Sequence, residues 1–225
     1  MMKNTKVKVT TLLLIAGVLA VAGYFGQGWL RQQITIHKLL SDNKQLKEAI
    51  TNLTTEDQIG YAKVIKQEKR DAKTFTTLRF VETARNDKLK KIVEKDYTFE
   101  GDIVHFDALI VKFSDKMVMD GRQRAMYLWR RVYSEGMAPQ DGFPIESPGA
   151  EPARYADLLA RLPIKHREMF WSNIWDLAND KNKLNEYGIT AIYGNAIYSQ
   201  LRQGLIYVFK ISPTGQLYDE VVPDM

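Results

Sequence analysis

The stretch Ile36–Leu53 reads IHKLLSDNKQLKEAITNL, and its period sets the layout of the chain. Ile36 and Ile50 fall on one seven-residue series; Leu39, Leu46 and Leu53 fall on another. Asn43 stands where the first series calls for a third isoleucine. With Ile36, Asn43 and Ile50 at heptad position a and the leucines at d, the pattern is that of two parallel helices. An asparagine at a costs stability, but it pairs with its counterpart only when the chains are parallel and in register. Asp42, at g, then faces Lys47, at e, of the partner chain with opposite charge, while Thr35–Leu40, Ala49–Thr54 and Glu56–Tyr61 are not like-charged. From Leu30 to Ala72 there is no proline, only one glycine, Gly60, and mostly good helix formers. The reading is a helical coiled-coil stalk over 30–72. Thirty residues of it would reach roughly 45 Å.

Working toward the amino end, no charge occurs from Val9 to Trp29, which is about the length of a membrane-spanning helix. Lys3, Lys6 and Lys8 precede it, which puts residues 1–8 in the cytoplasm and everything after the span outside. Tyr24, Phe25 and Trp29 suit the far interface. Ala20-Val21-Ala22 is an alternative cleavage site of a secretory signal; both readings export the rest of the chain. The expectation is therefore a single-pass inner-membrane protein with a signal-anchor over 9–29 and a periplasmic or extracellular domain over 73–225.

The formal charge of +5 is concentrated before residue 74. Residues 74–225 hold 20 basic and 21 acidic side chains, so the outer domain is near neutral and lacks the basic footprint of nucleic-acid binding. There is no cysteine, which excludes disulfides and thiolate metal sites.

Beyond the stalk, β-branched and aromatic residues predict strands over Thr74–Ala84, Lys91–Phe99 and Asp102–Phe113, the last two joined by a hairpin at Glu100-Gly101-Asp102. DIVHFDALIVKF is apolar on both faces and reads as a central strand. Gly121–Glu135 places Ala125, Leu128, Trp129, Val132 and Tyr133 at helical spacing, and Arg154–Arg161 and Ile164–Asp180 read as two further helices. The loop MAPQDGFPIESPGAEPA between the first two holds four of the seven prolines, and loops of that length are often functional. Ile189–Tyr193 and Ala196–Gln200 flank a hairpin turn at Gly194-Asn195, followed by strands over Leu205–Ile211 and Gln216–Val222. The expected fold class is α+β, with an antiparallel or mixed sheet and about three helices.

Signatures of common catalytic folds are missing: there is no G-x-S-x-G, P-loop, G-x-G-x-x-G or H-E-x-x-H. The best acid–base candidates are His105 and Asp107, which share one face of a strand with Ile103, Leu109 and Val111. Trp129, Trp171 and Trp175 fit core positions better than ligand stacking, while Tyr193, Tyr198, Tyr207 and Tyr218 are free to cover a sheet or form a binding surface. Nothing in the sequence requires a cofactor or metal. The layout resembles that of several bacterial envelope scaffold proteins. The functional expectation is a membrane-anchored scaffold that dimerises through Ile36, Leu39, Asn43, Leu46, Ile50 and Leu53, flanked by Asp42 and Lys47, and binds an envelope protein or glycan. The alternatives are an anchored hydrolase using His105 and Asp107, or a ligand sensor or transporter accessory with a pocket beneath the proline-rich loop.

Overall fold

The computed structural model describes residues 38–224, apart from Asn86, 148–150, 156–170, 172–173, 175–179 and Tyr187. The expected membrane segment over 9–29 and the heptad residue Ile36 lie outside the described residues. Among the described residues no helix is long and apolar enough to cross a membrane. Two compact units divide the chain, Met1–Glu48 and Ala49–Met225. In the first, the described residues 38–48 are all helical; in the second, helix covers 49–54, and the whole segment 38–54 is termed α1.

The expected stalk stops at Thr54. Two threonine side chains mark the end of α1: the Thr54 hydroxyl donates to the Ile50 carbonyl, and the Thr55 hydroxyl donates to the Thr51 carbonyl, which also accepts the last ladder bond from the Thr55 amide. Such local bonds compete with the helical ladder. Two residues later the chain enters strand β1, Asp57–Arg70. The α+β expectation with a long helical stalk is thereby corrected. Strand occupies 56% of residues 38–224, and the helices with described bounds besides α1 are the short α2, Asp115–Met119, and α3, Lys181–Glu186, with two 3-10 turns; Trp171 and Ile174 are also helical.

The second unit holds two antiparallel sheets. The first has the order β3-β2-β1-β8-β9, with β2 at Lys73–Ala84, β3 at Asp87–Glu100, β8 at Leu205–Ile211 and β9 at Leu217–Pro223. The second has the order β6-β5-β4-β7, with β4 at Ile103–Phe113, β5 at Met126–Ser134, β6 at Phe143–Pro144 and β7 at Ile189–Gln200. Glu100-Gly101-Asp102 is therefore not a hairpin. It carries the chain from one sheet to the other, with Gly101 at φ +102°. The predicted turn at Gly194-Asn195 lies within the unbroken strand β7.

Inward residues from both sheets interleave into one core. Ile59, Leu78, Phe80 and Phe209 come from the first sheet; Phe106, Ile110, Tyr127 and Trp129 come from the second. Phe209 packs against Phe106 at 4.7 Å and Trp129 at 5.1 Å between ring centroids. β4 is indeed central, and its opposite face is partly covered. Leu109, Val111 and Phe113 lie under Tyr155, Trp171, Ile174 and Leu184.

The helix expected over Gly121–Glu135 is strand β5. Its ladder with β4 slips between Asp107 and Ala108, so Arg130 is an extra residue, a β-bulge. While Met126 is buried in the second cluster, the buried positions on the side of the shared core become Tyr127, Trp129, Val132 and Ser134. Their 2-3-2 spacing imitates a helical stripe. Of the helix expected over Arg154–Arg161, the described start, Ala153–Tyr155, is a 3-10 turn; most of Ile164–Asp180, Trp175 included, lies outside the described residues.

Candidate binding surface and latched loop

Strand alternation places His105 and Asp107 on the outer face of the second sheet, beyond the covered region. In the ladder His105 stands opposite Tyr133 of β5 and Tyr198 of β7. Its ring stacks on Tyr133, 4.8 Å between centroids and 9° between planes, and meets the edge of Tyr198 at 5.3 Å. Tyr198 is 57% exposed, so the three rings form an aromatic shelf open to water.

Asp107 is nearly buried beside two guanidiniums. Arg130 Nη1 lies 3.3 Å from its carboxylate and Arg131 Nε lies 3.5 Å away. Burial pushes the Asp107 carboxyl above its ordinary range, while Arg130 and then Arg131 pull it back. No hydrogen bond joins His105 to Asp107 among the described residues. The structure brings the two candidates onto one face, but it gives the carboxylate to arginines and the imidazole to tyrosines. Among the described residues no three His, Cys, Asp or Glu side chains cluster as metal ligands.

The proline-rich loop lies over a cavity of about 720 Å³, lined by Leu128, Trp129, Arg131, Ile145, Glu146 and Pro152 among others. The loop is fastened at both sides. Lys95 of β3 donates to the Ile145 carbonyl at 2.7 Å, and the Ile145 amide donates to the Arg130 carbonyl at 2.9 Å. β6 pairs with β5 only at Arg131 and Val132. Farther along the same edge of β5, side chains take the place of a strand. The Trp129 amide donates to Glu146 Oε2 at 2.8 Å, the Tyr127 amide donates to the Tyr155 hydroxyl at 2.8 Å, and the Tyr127 carbonyl accepts from Tyr155 and Arg154.

Arg154 is the centre of this latch. Its guanidinium contacts Glu146 at 2.5 Å and Glu82 of β2 at 2.9 Å, and it lies over the Tyr127 ring at 4.5 Å. Burial opposes the Arg154 charge, but the Glu146 hydrogen bond first, then its neighbours Tyr155, Glu82 and Tyr127, hold it protonated. Glu82, with its side chain fully buried, behaves differently. Burial pushes its carboxyl up to about 7 even though Arg154 and the Tyr127 hydroxyl favour the anion. Glu82 Oε2 has no hydrogen-bond partner among the described residues. Sequence reasoning missed this cluster. Glu82, Tyr127 and Arg154 are far apart in the chain, and a lone glutamate in TFTTLRFVETA carries no local motif.

No known protein family, curated protein or solved structure matches the chain.

Proposed function

We propose that the chain is a membrane-tethered assembly protein. A segment over 9–29 holds it in the inner membrane, α1 associates with the α1 of a second copy, and the exported β-sandwich presents the aromatic shelf to an envelope protein or glycan. The observation that carries this reading is the exposure of the apolar series on α1. Leu39 is 62% exposed, Leu46 59% and Ile50 51%, with the exposed Asn43 between them. A leucine or isoleucine fully withdrawn from water contributes roughly 1.5–3 kcal/mol.

Residues 38–54 span only about 25 Å, so a pair of such helices is marginal by itself. Tethering in one membrane raises the effective concentration and offsets that shortfall without further contacts. The shelf suits a binding role because tyrosines contribute contact area and a polar edge together.

The protein has no cysteine, so single cysteines can be placed without background. In native membranes carrying the full chain, Leu46→Cys, on the predicted seam, is expected to form an oxidised dimer. Lys44→Cys, off the seam, is not. Equal crosslinking at both positions, or none at Leu46→Cys, would overturn parallel pairing through α1.

A further inference from the structure

We propose that β7 is a self-recognition edge, along which a second copy of the chain adds its own β7 antiparallel and joins two four-stranded sheets into one. This deepens the reading of the chain as a self-assembling protein, but it uses a different surface from α1.

An edge strand offers unpaired backbone donors and acceptors to any passing strand, and proteins ordinarily blunt that hazard with charge, proline or brevity. Three of the four edges here are blunted. β3 carries Lys88, Lys90, Lys91, Glu94 and Lys95 among its charges; β9 carries Asp219, Glu220 and Pro223; β6 is two residues long and contains Pro144. β7 is the exception. Its sequence, ITAIYGNAIYSQ, runs 12 residues without a charge or a proline. No strand pairs along its second edge among the described residues. Thr190, Gly194, Ala196, Tyr198 and Gln200 are exposed on it.

The occupant follows from the sequence of the strand. A two-fold axis normal to the sheet keeps each residue on its own face, so directly opposed residues must have the same parity. Centring the axis on Asn195 opposes Tyr198 to Ile192 of the second copy and Tyr193 to Ile197. It thereby makes four aromatic–β-branched cross-strand pairs, a favourable combination. The small residues Gly194 and Ala196 then face one another beside the axis. A strand without charge meets no like-charge repulsion when it pairs with itself. One strand edge buries less than a standard interface needs, so the contact suits copies already held in one membrane.

The test uses the full chain in membranes. Gly194→Cys and Ala196→Cys are co-expressed as differently tagged single variants. Both sites accept a side chain: a Cβ at Gly194 meets nothing closer than Arg130 Nη1 at 3.8 Å, and Ala196 is exposed. Oxidation is expected to join the two variants at least ten-fold more than it joins either to itself. Adding Thr190→Lys and Gln200→Lys to both chains, two exposed positions that oppose one another about the axis, brings like charges together and is expected to remove the crosslink, with circular dichroism unchanged. Crosslinking no greater than in the single variants, as an unrelated peptide partner at this edge would give, overturns the proposal. So does crosslinking that survives the paired Thr190→Lys and Gln200→Lys changes. Leu46→Cys reports on α1 separately: dimer at Leu46 with none at β7 sinks this inference alone, and the converse sinks only the pairing of α1.

Discussion

Two residues set local limits on the fold. Gly60 of β1 stands opposite Glu82 of β2, and a Cβ added there would sit 2.3 Å from the Val81 carbonyl oxygen. That is backbone against backbone, so no side chain can swing away. Gly60→Ala is expected to lower stability by about 1–3 kcal/mol, read as a fall in urea midpoint at unchanged slope. A wild-type midpoint in the variant would mean that the strands separate at little cost. Glu82 makes stability depend on pH. Its carboxyl titrates near 7 when folded, against an ordinary value of 4.5, so the folded state holds the extra proton between those values. Stability from this group is complete below about pH 4.5 and is lost as pH rises through about 7. The span corresponds to roughly 3 kcal/mol as an upper figure. Glu82→Gln keeps an acceptor for the Tyr127 hydroxyl but cannot titrate. The stability of the wild type relative to this variant is therefore expected to fall between pH 5 and pH 8 in urea titrations. A flat difference would show that the buried carboxyl is ionised throughout.

At the scale of elements, legibility followed burial. β4 could be read from sequence because both its faces are covered, and continuous apolar character is then the expected pattern. β5 could not, because the bulge at Arg130 inserts one residue and turns period two into a helix-like spacing. β1 failed for another reason. Lys66, Gln67, Glu68, Lys69 and Arg70 are good helix formers, and that half of the strand buries no apolar side chain. Only pairing with β2 and β8 makes it a strand, a tertiary preference that propensity does not contain. Of the heptad residues before it, Leu39, Asn43, Leu46 and Ile50 are exposed on α1 and Leu53 is half-buried, but the strand begins before the pattern could extend to Ala72. Within the candidate surface, His105 and Asp107 were found because they are neighbours on one strand. Tyr133, Tyr198, Arg130 and Arg131 join them only across the ladder, and no spacing along the chain encodes that.

At the scale of the molecule, the first strand depends on nearly the last. β1 is flanked by β2 and β8, and Asp57 stands opposite Ile211 across more than 150 residues of chain. Asp57 itself is held by Arg124 at 3.0 Å and Arg85 at 3.6 Å, so the entry to the sandwich is fixed by residues from three segments. Tyr207, Phe209, Ile211 and Leu217 all reach the shared core from β8 and β9. Losing a single buried phenylalanine costs about 3–5 kcal/mol, comparable to the whole stability of many domains. A chain ending at Arg202 loses four such side chains and leaves β1 an open edge with half its ladder. It is expected to be unfolded, with no cooperative transition in urea and no dispersed amide spectrum, while Phe209→Ala in the full chain retains a transition at a lower midpoint. Cooperative unfolding of the shortened chain would instead show that β1–β7 form a self-sufficient core. The same connectivity predicts slow folding, since the strand that completes the first sheet is made last and the loop it closes spans most of the domain.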